Sequence, residues 1–349
     1  MINVHLKHIV EFKDSINING GYAALSYVWG GKQKAVLLNS NRQALKIPGS
    51  LDGKASQTIL DAMKFTGQLG VNYLWADALC IVQDDDSDKA DQISHMGSIY
   101  AHAEFTIVAA VGHDSNAGLP GINAIRNATQ REITVLGTEV EQPPLTLITS
   151  LSTTLYQRTH ILEATTWATR GWTQQEMALS RRVIMFTEEQ IYWTCQEMSF
   201  AEDTNTQSHL GVTRIRCLDT EEFDLTSARD IVYISSDESD QAWYKLSRMV
   251  TEFSGRHLTM PGDALNAFSV ILQQFQDLHG EHFVWGLPAS RFELGLCWEP
   301  FRASLKRRLS VTTLPITSLN RRTSFPSWSW LGWEAPIKLS IEDRHVEEG

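Results

Sequence analysis

Three short, almost wholly apolar runs stand out along the chain, at residues 22–29 (YAALSYVW), 73–82 (YLWADALCIV) and 105–111 (FTIVAAV). None alternates apolar with polar positions, so each reads as a strand buried on both faces rather than one with a wet side. Gly30-Gly31 ends the first run in a tight turn, and one charge, Asp77, interrupts the second. Between them, residues 56–70 carry Ile59, Leu60, Met63 and Leu69 at helical spacing. After the acidic run 84–88, with Ser87 or Asp88 as N-cap, residues 89–102 place Ile93, Met96, Ile99 and Tyr100 on one helix face. Strand, helix, strand in this form predicts a mostly parallel sheet covered by helices, an α/β fold.

Residues 112–160 are loop-rich, with strands predicted at 132–136 and 145–149. A helix is predicted over 169–179 and a strand pair over 182–186 and 190–195. Periodicity then disappears over 202–240, where ten acidic residues meet three arginines, and this stretch reads as a boundary or a long surface excursion. It divides the chain into 1–201 and a C-terminal region, 202–349. Helical patterning returns over 241–279, with Trp243, Leu246, Met249, Val250 and Phe253 in one stripe, and an aromatic, strand-like segment lies at 325–333.

Composition narrows the function classes. The formal charge of −11 over 349 residues argues against a nucleic-acid partner, which needs a basic face. The longest apolar stretch is far below the roughly 20 residues of a membrane span. Cys80, Cys195, Cys217 and Cys297 form no CxxC pair, and His95 with His102, or His279 with His282, lacks a third ligand in range, so no metal is expected. The N-terminus has no apolar leader, which makes the cytoplasm the expected compartment.

Several residues carry candidate chemistry. Glu176 stands four residues after Trp172 on the predicted helix, so the two share a face. It reads either as a functional carboxylate or as a structural partner of Arg170 or Arg182. Asp77 must be paired or stand at a strand end, since an unpaired charge inside an apolar strand is costly; at the carboxyl end of a parallel strand it would face a ligand crevice. Cys80 reads more readily as a small buried hydrophobe than as a nucleophile, and Gln83 offers an amide to ligand or backbone. Ser26, Tyr27, Trp29 and Gly30 close the first strand. Glycine there lets backbone approach a ligand, with Lys32 or Lys34 for a phosphate, but strand-ending glycines more often serve turn chemistry, which is the favoured reading. Arg170 precedes the Trp172–Glu176 pair and Gln175 lies within it.

Three of these segments resemble the fungal heterokaryon-incompatibility (HET) domain. Tyr22-Ala23-Ala24-Leu25-Ser26-Tyr27-Val28-Trp29-Gly30 is similar to its opening block. Leu74-Trp75-Ala76-Asp77-Ala78-Leu79-Cys80-Ile81-Val82-Gln83-Asp84 is similar to the second, with Ala76 where a β-branched residue is commoner. Arg170-Gly171-Trp172-Thr173-Gln174-Gln175-Glu176, with Leu179, Ser180 and Arg182, is similar to the third. The resemblance covers residues 20–187, and Pro326-Ser327-Trp328-Ser329-Trp330 resembles a segment that often follows the domain. It implies a role in regulated cell death when unlike fungal cells fuse. It also implies a distant likeness to TIR domains, hence a TIR-like (flavodoxin-like) sheet and hydrolysis of NAD⁺ at the nicotinamide–ribose bond.

On that reading Glu176 and Asp77 are catalytic. Ser26, Tyr27, Trp29, Gly30, Cys80, Gln83, Arg170, Trp172 and Gln175 hold substrate, and NAD⁺ is substrate rather than cofactor. The implied partners are a small nucleotide, further copies of the chain in a homo-oligomer, and a protein partner that the sequence leaves unidentified, with neither nucleic acid nor membrane. A non-enzymatic self-assembling signalling module, or a metabolic enzyme reusing the fold, are the alternatives.

Overall fold

The computed structural model describes residues 1–11, 21–31, 33–126, 132–135, 145–148, 164–195, 199–202, 239–301, 304–308 and 325–340. Lys32, Cys217 and nearly all of the acidic stretch at 202–240 lie outside them. The chain divides into two compact units, the first made of residues 1–90, 102–167 and 180–224, the second of 91–101, 168–179 and 225–349. Two segments that precede residue 201, 91–101 and 168–179, cluster with the second unit.

The first unit is built on an eight-stranded sheet. Two short strands, β1 (Ile2–Asn3) and β2 (His8–Ile9), form one edge. β3 (Tyr22–Ser26) is central, and all five of its residues are buried. It pairs in parallel with β4 (Tyr73–Trp75) on one side and β5 (Phe105–Ala109) on the other. β6 (Glu132–Val135) and β7 (Leu145–Ile148) form a separate antiparallel pair, near the positions the sequence predicts. β8 (Arg182–Phe186) is parallel to β5, and β9 (Ile191–Cys195) and β10 (Ser199–Ala201) extend the sheet antiparallel beyond it. The expected parallel sheet is thus found in the four central strands, with antiparallel pairs at both edges.

Numbered among themselves in chain order, the four parallel strands run 2-1-3-4 across the sheet. The chain therefore leaves the first of them in opposite directions, and the reversal falls between β3 and β5. Thr106, the one polar residue of β5, is satisfied by a 2.6 Å hydrogen bond with Ser180.

Short helix α1 (Arg42–Leu45) precedes α2 (Gln57–Gln68), whose Ile59, Ala62 and Met63 are buried in the core that also contains Leu25, Leu74 and Ile107. The second predicted strand is shorter than its apolar run. It stops at Trp75, and Asp77 opens a one-turn helix, α3 (Asp77–Cys80). The Asp77 carboxylate accepts from the Ala78 N–H at 2.8 Å, and a negative charge in a first turn favours helix. In α4 (Asp86–His102) the cap is Asp85, two or three residues earlier than expected, because its carboxylate accepts from the N–H groups of both Ser87 and Asp88.

The second unit is helical and aromatic. α5 (Gly171–Leu179) has eight of its nine residues buried. α6 (Ser239–Ser254) buries the predicted stripe Trp243, Leu246, Met249, Val250 and Phe253. α7 (Asn266–His279) buries Phe268, Ile271, Leu272 and Phe275, and ends on left-handed Gly280. Phe253, Phe268 and Trp330 pack with centroids 4.9–6.1 Å apart. The aromatic tail is not the strand its pattern suggests. Ser329 caps a 3-10 turn, Trp330–Gly332, by accepting from the Leu331 N–H, and the buried Trp330 indole donates to the Gly286 carbonyl at 2.9 Å. The Ser329 hydroxyl also donates to the Trp285 carbonyl, so this segment locks the two-residue turn at Trp285-Gly286, where both residues have positive φ.

Gly171 is required by close approach. A Cβ there would stand 2.4 Å from Leu258 Cδ2. Gly171→Ala is expected to lower stability by about 1–3 kcal/mol through overpacking, read as a fall in the thermal midpoint. Leu258→Ala also destabilises by leaving a cavity, yet the two losses together should be clearly less than additive. Strict additivity would refute the contact.

Candidate active site

In open α/β sheets ligands bind outside the carboxyl ends of the parallel strands, where the strand order reverses. Here that edge is formed by the residues following β3, β4, β5 and β8. After β3, Ser26 and Tyr27 are buried. Ser26 accepts a 2.7 Å hydrogen bond from the Trp167 indole, and both residues are sealed from water. That bond ties the 164–167 segment to the end of the central strand. Trp29 donates its indole N–H to Asp77 Oδ2 at 2.8 Å, joining the ends of β3 and β4. Gln83 donates to the backbone carbonyls of Asp77 and Ile81 at 3.0 and 3.1 Å. The Cys80 thiol turns back on its own turn, accepting from the Ala76 N–H and contacting the Leu74 carbonyl.

The structure thus brings Trp29, Asp77, Cys80 and Gln83 into one cluster. Within it Asp77 holds its neighbours in place, while Gln83 and Cys80 engage backbone. Gly30 takes φ +68°, and a Cβ there would fall 2.2 Å from Asp114 Cβ. Its freedom therefore serves a turn and the close approach of the 113–114 segment. Lys34 is described, but no phosphate-binding partner gathers with it among the described residues.

Arg170, Trp172, Gln175 and Glu176 lie in the second unit, whereas Asp77 lies in the first. Gly171 N–H donates to the His257 carbonyl at 2.8 Å, and His257 N–H to the Thr169 carbonyl at 2.6 Å, which fixes the start of α5. Trp172 donates to Asp263, whose carboxyl is nevertheless pushed up from its ordinary value by burial, the indole hydrogen bond opposing that rise. The Gln175 amide, oriented to satisfy its donors, reaches the carbonyls of Ala267 and Asn266 at 3.0 and 3.2 Å. Thr173 donates to the Arg170 carbonyl and accepts from Arg256. Glu176 is buried, at 6% exposure.

One cavity at the carboxyl edge involves residues that the sequence did not single out. It holds about 230 Å³ and is lined by Ala110, Gly112 and His113 after β5, by Ala164, Thr165 and Thr166, and by Thr187, Glu188 and Glu189 after β8. His113 Nδ1 lies 2.5 Å from Thr166 Oγ1, closing one wall. The available signal was position: Glu188-Glu189 directly follows an apolar strand. Among the described residues no group of three or more His, Cys, Asp or Glu side chains could hold a metal ion, and no helix is long and apolar enough to cross a membrane.

These features define an α/β protein with a sheet parallel at its centre and polar groups gathered at the carboxyl edge. Residues 22–176 match the family model described as Heterokaryon incompatibility protein (HET). A curated relative, "Heterokaryon incompatibility protein 6, OR allele" from Neurospora crassa, is 27% identical over 207 residues. That match takes in 52% of this chain and 28% of the relative. No solved structure matches the chain.

Trp167→Phe keeps the aromatic volume but leaves the buried Ser26 hydroxyl without its donor. The expected loss is about 1–3 kcal/mol, measured as a lower urea midpoint at unchanged slope. An unchanged midpoint would mean that this bond does not hold the 164–167 segment.

Proposed function

We propose that this protein acts in a heterokaryon-incompatibility reaction as an effector of regulated cell death, and that its chemistry is hydrolysis of NAD⁺ at the nicotinamide–ribose bond. The family match and the Neurospora crassa relative support the incompatibility role. The observation that carries the chemical reading is the 2-1-3-4 order of the parallel strands, the order of flavodoxin-like and TIR-like sheets, with a carboxylate, Asp77, held by Trp29 at the edge where such sheets bind nucleotides.

The reaction asks little of the protein. The C1′–N1 bond breaks with its electron pair going to the ring nitrogen, so nicotinamide leaves neutral and needs no proton. Positive charge develops on the ribose, and a nearby carboxylate stabilises it. Water then adds at C1′ and releases one proton, giving ADP-ribose. Asp77, in the first unit, and Glu176, in the second, are the two carboxylates to be tested for this task; Ser26, Tyr27, Trp29, Gly30 and Gln83 accompany the first, and Arg170, Trp172 and Gln175 the second. Assembly into a homo-oligomer completes the proposal, so specific activity should rise with protein concentration.

The test is free nicotinamide released from NAD⁺ by the purified chain. Asp77→Asn and Glu176→Gln are each nearly isosteric. Loss of charge stabilisation is expected to slow release about a thousandfold; Asp77→Asn also lowers the melting midpoint, because one amide oxygen cannot accept from both the Trp29 indole and the Ala78 N–H, whereas Glu176→Gln is expected to leave it little changed. A Glu176→Gln protein that is less stable by about 1–3 kcal/mol yet equally active would make Glu176 structural. A wild-type chain that releases no nicotinamide at any concentration would end the enzymatic reading in favour of a self-assembling signalling module.

A further inference from the structure

In the second unit, the turn between β11 (Phe283–Val284) and β12 (Leu287–Pro288) carries a residue that does not suit its shape. Trp285 and Gly286 take φ +52° and +79°. Successive positive φ values are those of a hairpin turn that Asn-Gly or Asp-Gly fills readily, whereas a bulky side chain there is an outlier. The conformation is imposed from outside, by the Ser329 hydroxyl on the Trp285 carbonyl at 2.7 Å and the Trp330 indole on the Gly286 carbonyl at 2.9 Å. Both bonds go to backbone, so the turn itself gains nothing from an indole. The side chain packs edge-on against Phe325, with centroids 6.0 Å apart, and stays 43% exposed.

Trp285 stands at one end of a row of touching side chains. Arg307 donates to the Phe325 carbonyl and lies 4.8 Å over the Trp333 ring. Trp333 meets Trp298 at 6.3 Å, the Trp298 indole donates to the Trp328 carbonyl at 2.7 Å, and Trp328 packs on Phe292 at 5.7 Å. Trp328 is 38% exposed, and so is much of Leu296, one helical turn after Phe292. Exposed apolar surface joined in this way marks an interaction site, and tryptophan and arginine are the residues that most often anchor one. Both signs of charge stand along the row. Glu293 and Glu299 follow Phe292 and Trp298, while Lys306 and Arg307 pair with Trp333-Glu334.

We propose that two copies of this chain associate through this row, with Trp285 as the anchor. A two-fold axis lays one patch on the same patch of the second copy, running the opposite way, so the carboxylates of each meet the cations of the other. A partner of a single charge sign would set like charges together at part of the row, which is costly. The inference assigns a surface to the homo-oligomer proposed above and makes no use of the NAD⁺ chemistry.

Sedimentation velocity on the full-length chain, over a wide range of concentration and without NAD⁺, tests it. The wild type is expected to pass reversibly from monomer to dimer. Trp285→Asn should weaken the dimer about thirtyfold or more, the loss typical of an anchor. Asparagine suits the turn, so relief of the left-handed strain offsets the lost Phe325 contact. The melting midpoint of that variant, measured in dilute monomer, should therefore change little. Trp328→Ser, which keeps the carbonyl that Trp298 uses, should weaken the dimer too and decides the matter if the first variant fails to fold. Ile47→Asn, at an exposed apolar position of the first unit, should leave the dimer unchanged. A wild type that is monomeric throughout, a dimer that both tryptophan variants leave intact, or equal weakening by Ile47→Asn overturns the proposal. A dimer sensitive to both tryptophans that releases no nicotinamide upholds the surface while the NAD⁺ reading falls. Nicotinamide release by a chain that never dimerises overturns the surface and leaves that chemistry standing.

Discussion

The first unit depends on one constraint, the enclosure of β3. A strand with parallel neighbours on both sides and helices over the sheet has no wet face, so every side chain on it must be apolar or internally satisfied. Tyr22 to Leu25 meet this with apolar bulk. Ser26 cannot, and its hydroxyl is met by the Trp167 indole. That single bond reaches across 141 residues of chain, and it brings the 164–166 segment to the edge where β5 and β8 end. The cavity wall is thus a by-product of satisfying one buried hydroxyl. The next turn obeys the same pressure: Gly30 gives up its Cβ so that the 113–114 backbone can close over the end of β3.

The second unit shows how much of a conserved-looking motif serves architecture. Gly171 exists to let Leu258 approach, Trp172 binds Asp263, and Gln175 engages the backbone that opens α7. Thr173 joins Arg170 to Arg256. A block that reads as a row of chemical groups is, residue by residue, largely occupied in holding α5 among its neighbours. Asp77 differs in place, because its carboxylate ties the ends of two parallel strands through Trp29 while also accepting from the Ala78 N–H.

Much of the sheet was legible in the sequence. Apolar runs of five to eight residues located β3, β5, β8 and β9, because enclosed strands tolerate nothing else. Where a run stops being strand was not legible. Residues 76–82 are as apolar as β4, yet residues 77–80 form a helical turn whose first residue, Asp77, accepts from the Ala78 N–H. The tail at 325–333 failed for a similar reason, since the Ser329 cap decides its shape and leaves no periodic trace. The positions of Asp77 and Trp29 just beyond strand ends were legible from where the apolar runs meet a charge and a glycine pair. Their pairing, 48 residues apart, was not, and neither was the placement of Glu188-Glu189 in a cavity lining, because adjacent acids after a strand look like any solvated turn.

The enclosure of β3 also sets a clock. Its run of apolar residues leaves the ribosome without the strands that will cover it: β5 follows roughly 80 residues later and β8 roughly 160 later, so at about 5–20 residues per second the wait is about 4–16 s for the first and about 8–32 s for the second. An uncharged, proline-free strand with open edges is a template for any other chain in the same state. The uncharged run that makes a sealed sheet in the finished molecule therefore makes the half-made one adhesive. How much intact protein a cell obtains depends on how crowded its ribosomes are with this message during that interval.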